Sequence, residues 1–226
     1  MAPDRRVSSL FGRERRTPVL LFLVRHALTP QTGDKLSGWT PGISLSNEGR
    51  GQVRALVERM RPVTLDAVYS SPLERCVETA RPLASSKGLR ARTREALGEV
   101  RYGDWEGKRL RTLAKTKLWR QIMARPSEVR FPNGETIRET QFRAVAALEE
   151  LRAAHDKGAI AAVTHADVIR LVLAHYAGIH IDLYQRLVVP PASVTVLWVG
   201  PGGPRVLKVG DTPSLDGFSR PKKARR

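Results

Sequence analysis

Six apolar residues in succession, Val19 to Val24, end abruptly at Arg25 and His26. The run is too short to cross a bilayer, which takes about 20 apolar residues. A short, β-branched apolar run of this kind reads as a strand buried on both faces. It therefore predicts an open α/β sheet, with a cation and an imidazole at the strand's carboxyl end, where such sheets bind ligands. A single histidine there could simply cap the strand, so the reading depends on whether the pattern recurs.

It recurs twice. Leu65 to Tyr69 reads as a second buried strand. Ser71 then reads as a helix N-cap, Pro72 as the first helical residue and Glu74 as the partner in a capping box. Leu73, Cys76, Val77 and Ala80 form the apolar face of that helix, with Gly88 as its stop. Arg75 falls in the first turn, where free backbone N–H groups already favour an anion. Ala159 to Thr164 reads as a third buried strand, followed by His165 and a helix from Asp167 carrying Val168, Leu171 and Val172. Parallel strands place these three ends on one side of the sheet.

Between them lie a Thr-, Pro-, Gly- and Ser-rich loop from Thr29 to Ser46, beside the first strand end, and a helix near Asn47 buried through Val53, Leu56, Val57 and Met60. Leu89 to Arg94 suggests a short strand, and the Gly-rich stretch Ala96 to Gly107 a loop carrying Glu99. Helical packing is expected near Leu110, Leu113, Leu118 and Trp119. A long helix is expected from about Thr136 to His155, with Phe142, Val145, Ala146 and Leu148 in its buried stripe. Ser193 to Val199 and Val206 to Val209 read as an edge hairpin. Two arginines and two histidines converging on one point repel each other unless an anion sits between them, and phosphate suits them.

The 226 residues fit one domain with tails, and 41% hydrophobic content is enough for a core. A single cysteine, Cys76, leaves no disulfide framework and fits a reducing cytoplasm. No signal-peptide pattern and no apolar stretch of membrane-spanning length is found. The expected organisation is a basic flexible segment over residues 1–17, one folded domain over 18–210 that holds the three strand ends, and a basic flexible tail over 211–226. The formal charge of +17 draws anions, including phosphorylated metabolites and, non-specifically, nucleic acid. At 6% aromatic content, without a nucleic-acid motif, a dedicated nucleic-acid partner is not expected.

Four stretches together resemble the histidine phosphatase superfamily, in its phosphoglycerate-mutase-like branch, as an actinobacterial-type phosphomutase or phosphatase. Leu23-Val24-Arg25-His26-Ala27-Leu28-Thr29 is similar to its Arg-His-Gly signature. Ser70 to Ala80 resembles its second motif, Leu97 to Gly107 its acid motif, and Val163 to Arg170 its second histidine motif. Gly38-Trp39-Thr40, Leu45 to Arg50 and Gly134-Glu135-Thr136 resemble weaker linking motifs. The match spans about Val19 to Val199.

The resemblance implies a three-layer α/β/α sandwich with a mostly parallel central sheet. It implies a metal-independent phosphomonoesterase with no cofactor, acting through a phosphohistidine on a small phosphorylated metabolite. His26 would be the nucleophile. Arg25, Arg75 and His165 would hold the phosphoryl oxygens, and Glu99 would be the general acid. Thr29, Thr32, Ser37, Gly38, Arg101, Tyr102 and Ala166 would bind phosphate or substrate.

Some positions depart from the family pattern. Ala27 replaces the usual glycine, Thr32 stands where many members have Asn, and Ala166 follows the second histidine where the acid-phosphatase branch has Asp. Leu110 falls near the place of a glycolytic substrate lysine, and Arg120 and Arg125 are single where the glycolytic mutases carry a pair. Hydrolysis is therefore favoured over phosphoglycerate isomerisation. The alternatives are a phosphomutase or a non-catalytic phosphate- or nucleic-acid-binding protein. No membrane partner is expected, and the oligomer is either a monomer or a homodimer.

Overall fold

The structure is a computed structural model that describes residues 18–155 and 158–214. The expected basic segment 1–17 and most of the tail lie outside the described residues. β1 (Val19–Arg25), β2 (Ala67–Ser70), β3 (Ala91–Thr93), β4 (Gly158–Thr164), β5 (Val194–Gly200) and β6 (Gly203–Asp211) form one sheet in the order β3-β2-β4-β1-β5-β6. The first four run parallel, while β5 is antiparallel to β1 and pairs with β6 as a hairpin at the sheet edge.

Alternation along the strands builds two cores. Leu21, Leu23, Tyr69, Ile160 and Ala162 face one side. There α5 (Ile137–Ala153) and α6 (Ala166–Tyr176) cover them with Ala144, Leu148, Val168 and Val172. Phe22, Val24, Val68, Ala161 and Val163 face the other, under α1 (Asn47–Arg59) and α2 (Glu74–Ser85), which contribute Leu56, Cys76, Ala80 and Leu83. The result is a three-layer α/β/α sandwich. A third cluster joins the stretch after Glu99 to α5 and α6 through Val100, Tyr102, Trp105, Phe131, Ile137 and Leu171. It also holds Leu113 and Ile122 of two short helices, α3 (Leu110–Leu113) and α4 (Lys117–Ala124).

Two local readings are corrected. Phe142 is 78% exposed rather than part of the buried stripe of α5. That stripe runs through Ile137, Ala144, Ala147, Leu148 and Leu151, a face from which position 142 points away. The capping box at Ser71 and Glu74 is absent, because α2 starts two residues later than expected, with Leu73 at the N-cap. The Ser71 hydroxyl accepts from Leu73 N–H and contacts His165, and the Glu74 carboxylate accepts from Gly42 N–H across the loop. A capping box does form at α5, between Thr136 and Glu139.

The register of β1 against β4 positions the site. Arg25 is paired with Thr164, so His26 and His165 are the next residues of neighbouring parallel strands. The His26 N–H donates to the Thr164 carbonyl at 2.9 Å, and the two imidazoles lie with centroids 5.2 Å apart. From β1 the chain crosses toward β2, and from β4 it crosses the other way toward β5. The two histidines therefore flank the point where the strand order reverses, where a crevice opens in sheets of this kind.

Candidate active site

A cavity of about 270 Å³ opens at these strand ends. Arg25, His26, Thr29, Thr32, Ser37, Gly38, Arg75, Glu99, Tyr102 and Ala166 all line it, so the structure brings together ten of the twelve residues singled out in the sequence. His165 is fully buried and touches two of the lining residues: its Nδ1 is 3.3 Å from Arg75 Nη2 and 3.6 Å from Glu99 Oε2. Arg101 is not part of the lining. Its guanidinium lies over the Trp39 ring at 3.9 Å and pairs with Glu95.

His26 is 6% exposed, and its Nδ1 is 2.8 Å from the Ala27 carbonyl. A carbonyl oxygen only accepts, so Nδ1 carries the proton and Nε2 keeps its lone pair in the neutral ring. Burial, then the charges of Arg75 and Arg25, hold the His26 pKa well below the ordinary value. Near neutral pH the ring is thus uncharged, with one nitrogen available for nucleophilic attack. His165 is held neutral by the same causes, burial first. Guanidinium only donates, so Arg75 Nη2 donates to His165 Nδ1, and His165 Nε2–H then donates to Ser71 Oγ at 2.9 Å.

Two guanidinium nitrogens here are buried without a hydrogen-bond acceptor: Arg25 Nε and Arg75 Nη1. Their neighbours are engaged, Arg25 Nη1 with the Val189 carbonyl and Arg75 Nη2 with the Gly38 carbonyl, each at 2.8 Å. Leaving buried donors unmade is costly, and a phosphoryl group supplies the acceptors they lack. The first residues of α6 add a helix N-terminus to the same wall.

Glu99 differs from the other carboxylates. Burial, then the charge of Asp167, push its carboxyl up to about 7, against the pull of Arg75, the Val100 N–H and Arg25. A carboxyl at about 7 can give and take a proton near neutral pH. Asp167 lines the cavity too, but both its oxygens are engaged, by the Tyr102 hydroxyl at 2.8 Å and by Arg170 at 2.9 Å. Tyr102 remains a neutral phenol, because burial and then Asp167 drive its pKa well above 10.

Close packing fixes the backbone under Glu99. Trp39 donates its indole N–H to the Glu99 carbonyl at 2.7 Å, and a Cβ on Gly98 would meet the Trp39 ring at 2.1 Å. Gly38, at φ +50, turns the loop so that its carbonyl reaches Arg75. From below, Arg143 donates to the carbonyls of Ala96, Gly98 and Glu99 and grips both oxygens of Glu135. Replacing Arg143 with Met leaves three carbonyls and a mostly buried carboxylate without this donor. We expect a stability loss toward the lower end of the roughly 3–5 kcal/mol typical of a broken buried pair, since a fifth of the side chain is exposed. A thermal melt of the variant checks this.

Ala27, in place of the glycine the family usually has, is fully buried and packs with Leu45, Val53 and Ala192. Its N–H donates to Thr79. Gly33, Lys35 and Leu36, with Leu110 noted above as a departure from the family, fall in the stretches 29–40 and 108–125 that the sequence reading expects to wall the pocket, whereas it passed over Asp167 and Arg170 as site residues. All six line the cavity. The one local signal was that Asp167 and Arg170 lie one turn apart on the helix that His165 opens.

The fold and the site define an α/β protein that gathers arginines and histidines at the carboxyl ends of its parallel strands, an arrangement chemically suited to an oxyanion. A family model described as histidine phosphatase superfamily (branch 1) matches residues 21–212, and the chain belongs to that superfamily, whose members are phosphatases and mutases. Phosphoserine phosphatase 1 of Hydrogenobacter thermophilus is 27% identical over 210 residues, covering 88% of this chain and 96% of the relative. A probable phosphoglycerate mutase, GpmB of Yersinia enterocolitica, is 26% identical over 204 residues, covering 87% and 94%. The solved structure of Bacillus stearothermophilus YhfR superposes with a TM-score of 0.80 at 26% identity, covering 86% of this chain and 98% of that one. No helix among the described residues is long and apolar enough to cross a membrane.

Proposed function

We propose that this protein hydrolyses a small phosphomonoester through a phosphohistidine on His26. The observation that carries the proposal is the pair of acceptor-free guanidinium nitrogens of Arg25 and Arg75, in the wall that holds a neutral His26. His26 Nε2 attacks phosphorus, the bond to the ester oxygen breaks, and Glu99 gives its proton to that oxygen. Arg25 and Arg75 hold the phosphoryl oxygens while charge spreads over them. In the second half, Glu99, now a carboxylate, takes a proton from water as the water oxygen attacks phosphorus. The P–N bond breaks, phosphate leaves and His26 is neutral again.

The likeness to a phosphoserine phosphatase supports a substrate of metabolite size, as does the small cavity. The likeness to a probable phosphoglycerate mutase supports a second reading, in which another hydroxyl accepts the phosphoryl group. Leu110, an apolar residue in the cavity wall near the place of the glycolytic lysine, favours water. With phosphoglycerate as substrate, free phosphate is expected to appear well ahead of isomer interconversion. Faster interconversion that requires a bisphosphorylated primer would replace the phosphatase reading with the mutase one.

A further inference from the structure

We propose that Ser71, seconded by Cys76, is a positioning residue: it fixes which nitrogen of His165 carries the proton, and through His165 it orients Arg75 for the phosphoryl group. The proposal rests on the hydrolytic reading above, but its central measurement needs no turnover.

Ser71, Cys76 and His165 are fully buried. The sequence assigns the Ser71 hydroxyl to a helix cap, but α2 starts after Leu73, which frees the hydroxyl for His165. It lies 2.9 Å from His165 Nε2 and accepts from the Leu73 N–H at 3.3 Å. The Ser71 N–H is tied to the Val163 carbonyl of β4 at 2.9 Å, two residues before His165, so the sheet sets the spacing of the two side chains. Cys76, in the first turn of α2, donates its thiol to the Thr164 carbonyl at 3.6 Å, and its sulfur lies 3.4 Å from the same Nε2. Burial pushes this thiol up to about 12, so the sulfur is a neutral, weak acceptor.

Arg75 and Ser71 thus hold opposite nitrogens of one ring. A guanidinium only donates, so Nδ1 must accept, Nε2 must carry the proton, and that buried N–H needs an acceptor. Ser71 is the strong one and Cys76 the weak one. With both gone the proton gains by moving to Nδ1. There it faces Arg75 Nη2 at 3.3 Å, donor against donor. The Glu99 Oε2 atom, 3.6 Å away, is beyond good hydrogen-bond reach. Arg75 then has to turn. In the intact site its Nη2 is held between His165 Nδ1 and the Gly38 carbonyl. That hold fixes Nη1, the acceptor-free nitrogen that the proposed function assigns to the phosphoryl oxygens.

The test reads the tautomer directly. In protein labelled with ¹⁵N at histidine, the His165 signals, identified by their loss in His165→Gln, should show a protonated Nε2 and a bare Nδ1 near neutral pH. In Ser71→Ala the Nε2–H is left to the sulfur, and kcat/KM for 4-nitrophenyl phosphate should fall ~5-fold, the size of one ordinary hydrogen bond. Cys76→Ala, which removes only the weak acceptor, should cost ~2-fold. In the double variant the proton should move to Nδ1. Its loss should exceed the product of the single losses by a further ~10-fold, as expected when two groups serve one contact. Orthophosphate affinity, measured by calorimetry, should weaken in parallel. A wild-type ring protonated at Nδ1 overturns the proposal, and so does a folded double variant that keeps the Nε2–H tautomer with losses that merely multiply. If the double variant does not fold, the wild-type tautomer still decides, together with Ser71→Ala, whose unchanged orthophosphate affinity would also overturn it. The hydrolytic reading fails separately, if wild-type protein does not turn over 4-nitrophenyl phosphate. The tautomer and orthophosphate binding then still decide the role of Ser71.

Discussion

His26→Ala is expected to abolish phosphomonoester turnover, by ~10⁴-fold or more, the scale reached when a nucleophile is removed from an enzyme that depends on it. The fold should survive. The two backbone bonds that place residue 26, its N–H to Thr164 and its carbonyl from Ala192 N–H, do not involve the side chain. The imidazole's one hydrogen bond, from Nδ1 to the Ala27 carbonyl, is local. Brief reaction with a ³²P-labelled substrate should leave acid-labile, base-stable label on the wild type and none on the variant, as phosphohistidine requires. Equal labelling of both would place the nucleophile elsewhere. Loss of activity with no label on either protein would point to direct attack by water.

Glu99→Gln is expected to slow alkyl phosphates by ~10²–10⁴-fold, the usual contribution of general acid–base catalysis. For 4-nitrophenyl phosphate the loss should be much smaller, because that leaving group departs without a proton. Equal losses on both substrates would assign Glu99 a structural role. The pH profile separates the two explanations further. With its carboxyl pushed up to about 7, Glu99 is the required acid below that value and loses the proton above it. On alkyl phosphates kcat/KM of the wild type should therefore fall as pH rises through about 7. No such fall should remain in the Gln variant. On the acid side His26 stays neutral to well below its ordinary range, so the decline there should begin later than for a free imidazole.

Stability follows the same shift with a definite sign. The folded carboxyl holds its proton to a higher pH than the unfolded one, so any contribution to stability is complete below the unfolded value, near 4.5. It is lost as pH rises to about 7. Glu99→Gln, which carries no charge to bury, should melt above the wild type at pH 8, and the gap should narrow toward pH 4.5. Melting temperatures at the two pH values, read by circular dichroism, test it. The charge that Glu99 contributes to the second half of the reaction thus opposes folding, as is common where a site is built for chemistry.

Much of this protein was legible in the chain because its signals are local. Val19 to Val24 and Ala159 to Thr164 are apolar enough to be buried on both faces. Each ends in the residue that the next loop or helix must present, so His26, Arg75 and His165 could be assigned to strand ends and a helix start without coordinates. The order of the four family-like stretches did the rest for Glu99, which no periodicity marks. Tertiary structure decided what depends on neighbours far along the chain. The tautomer of His26 follows from one carbonyl, and the raised carboxyl of Glu99 from burial beside Asp167, 68 residues away. Arg101, attractive as a cation beside the acid motif, is drawn off by Trp39 and Glu95. Arg170, an ordinary helical arginine in the sequence, becomes a wall of the cavity because α6 begins at the strand end that His165 occupies. Strand pattern and capping are short-range properties that a sequence carries within a few residues. Electrostatics, and the choice of which cation faces the ligand, are set only once the sheet has brought distant strand ends within a few ångströms of one another.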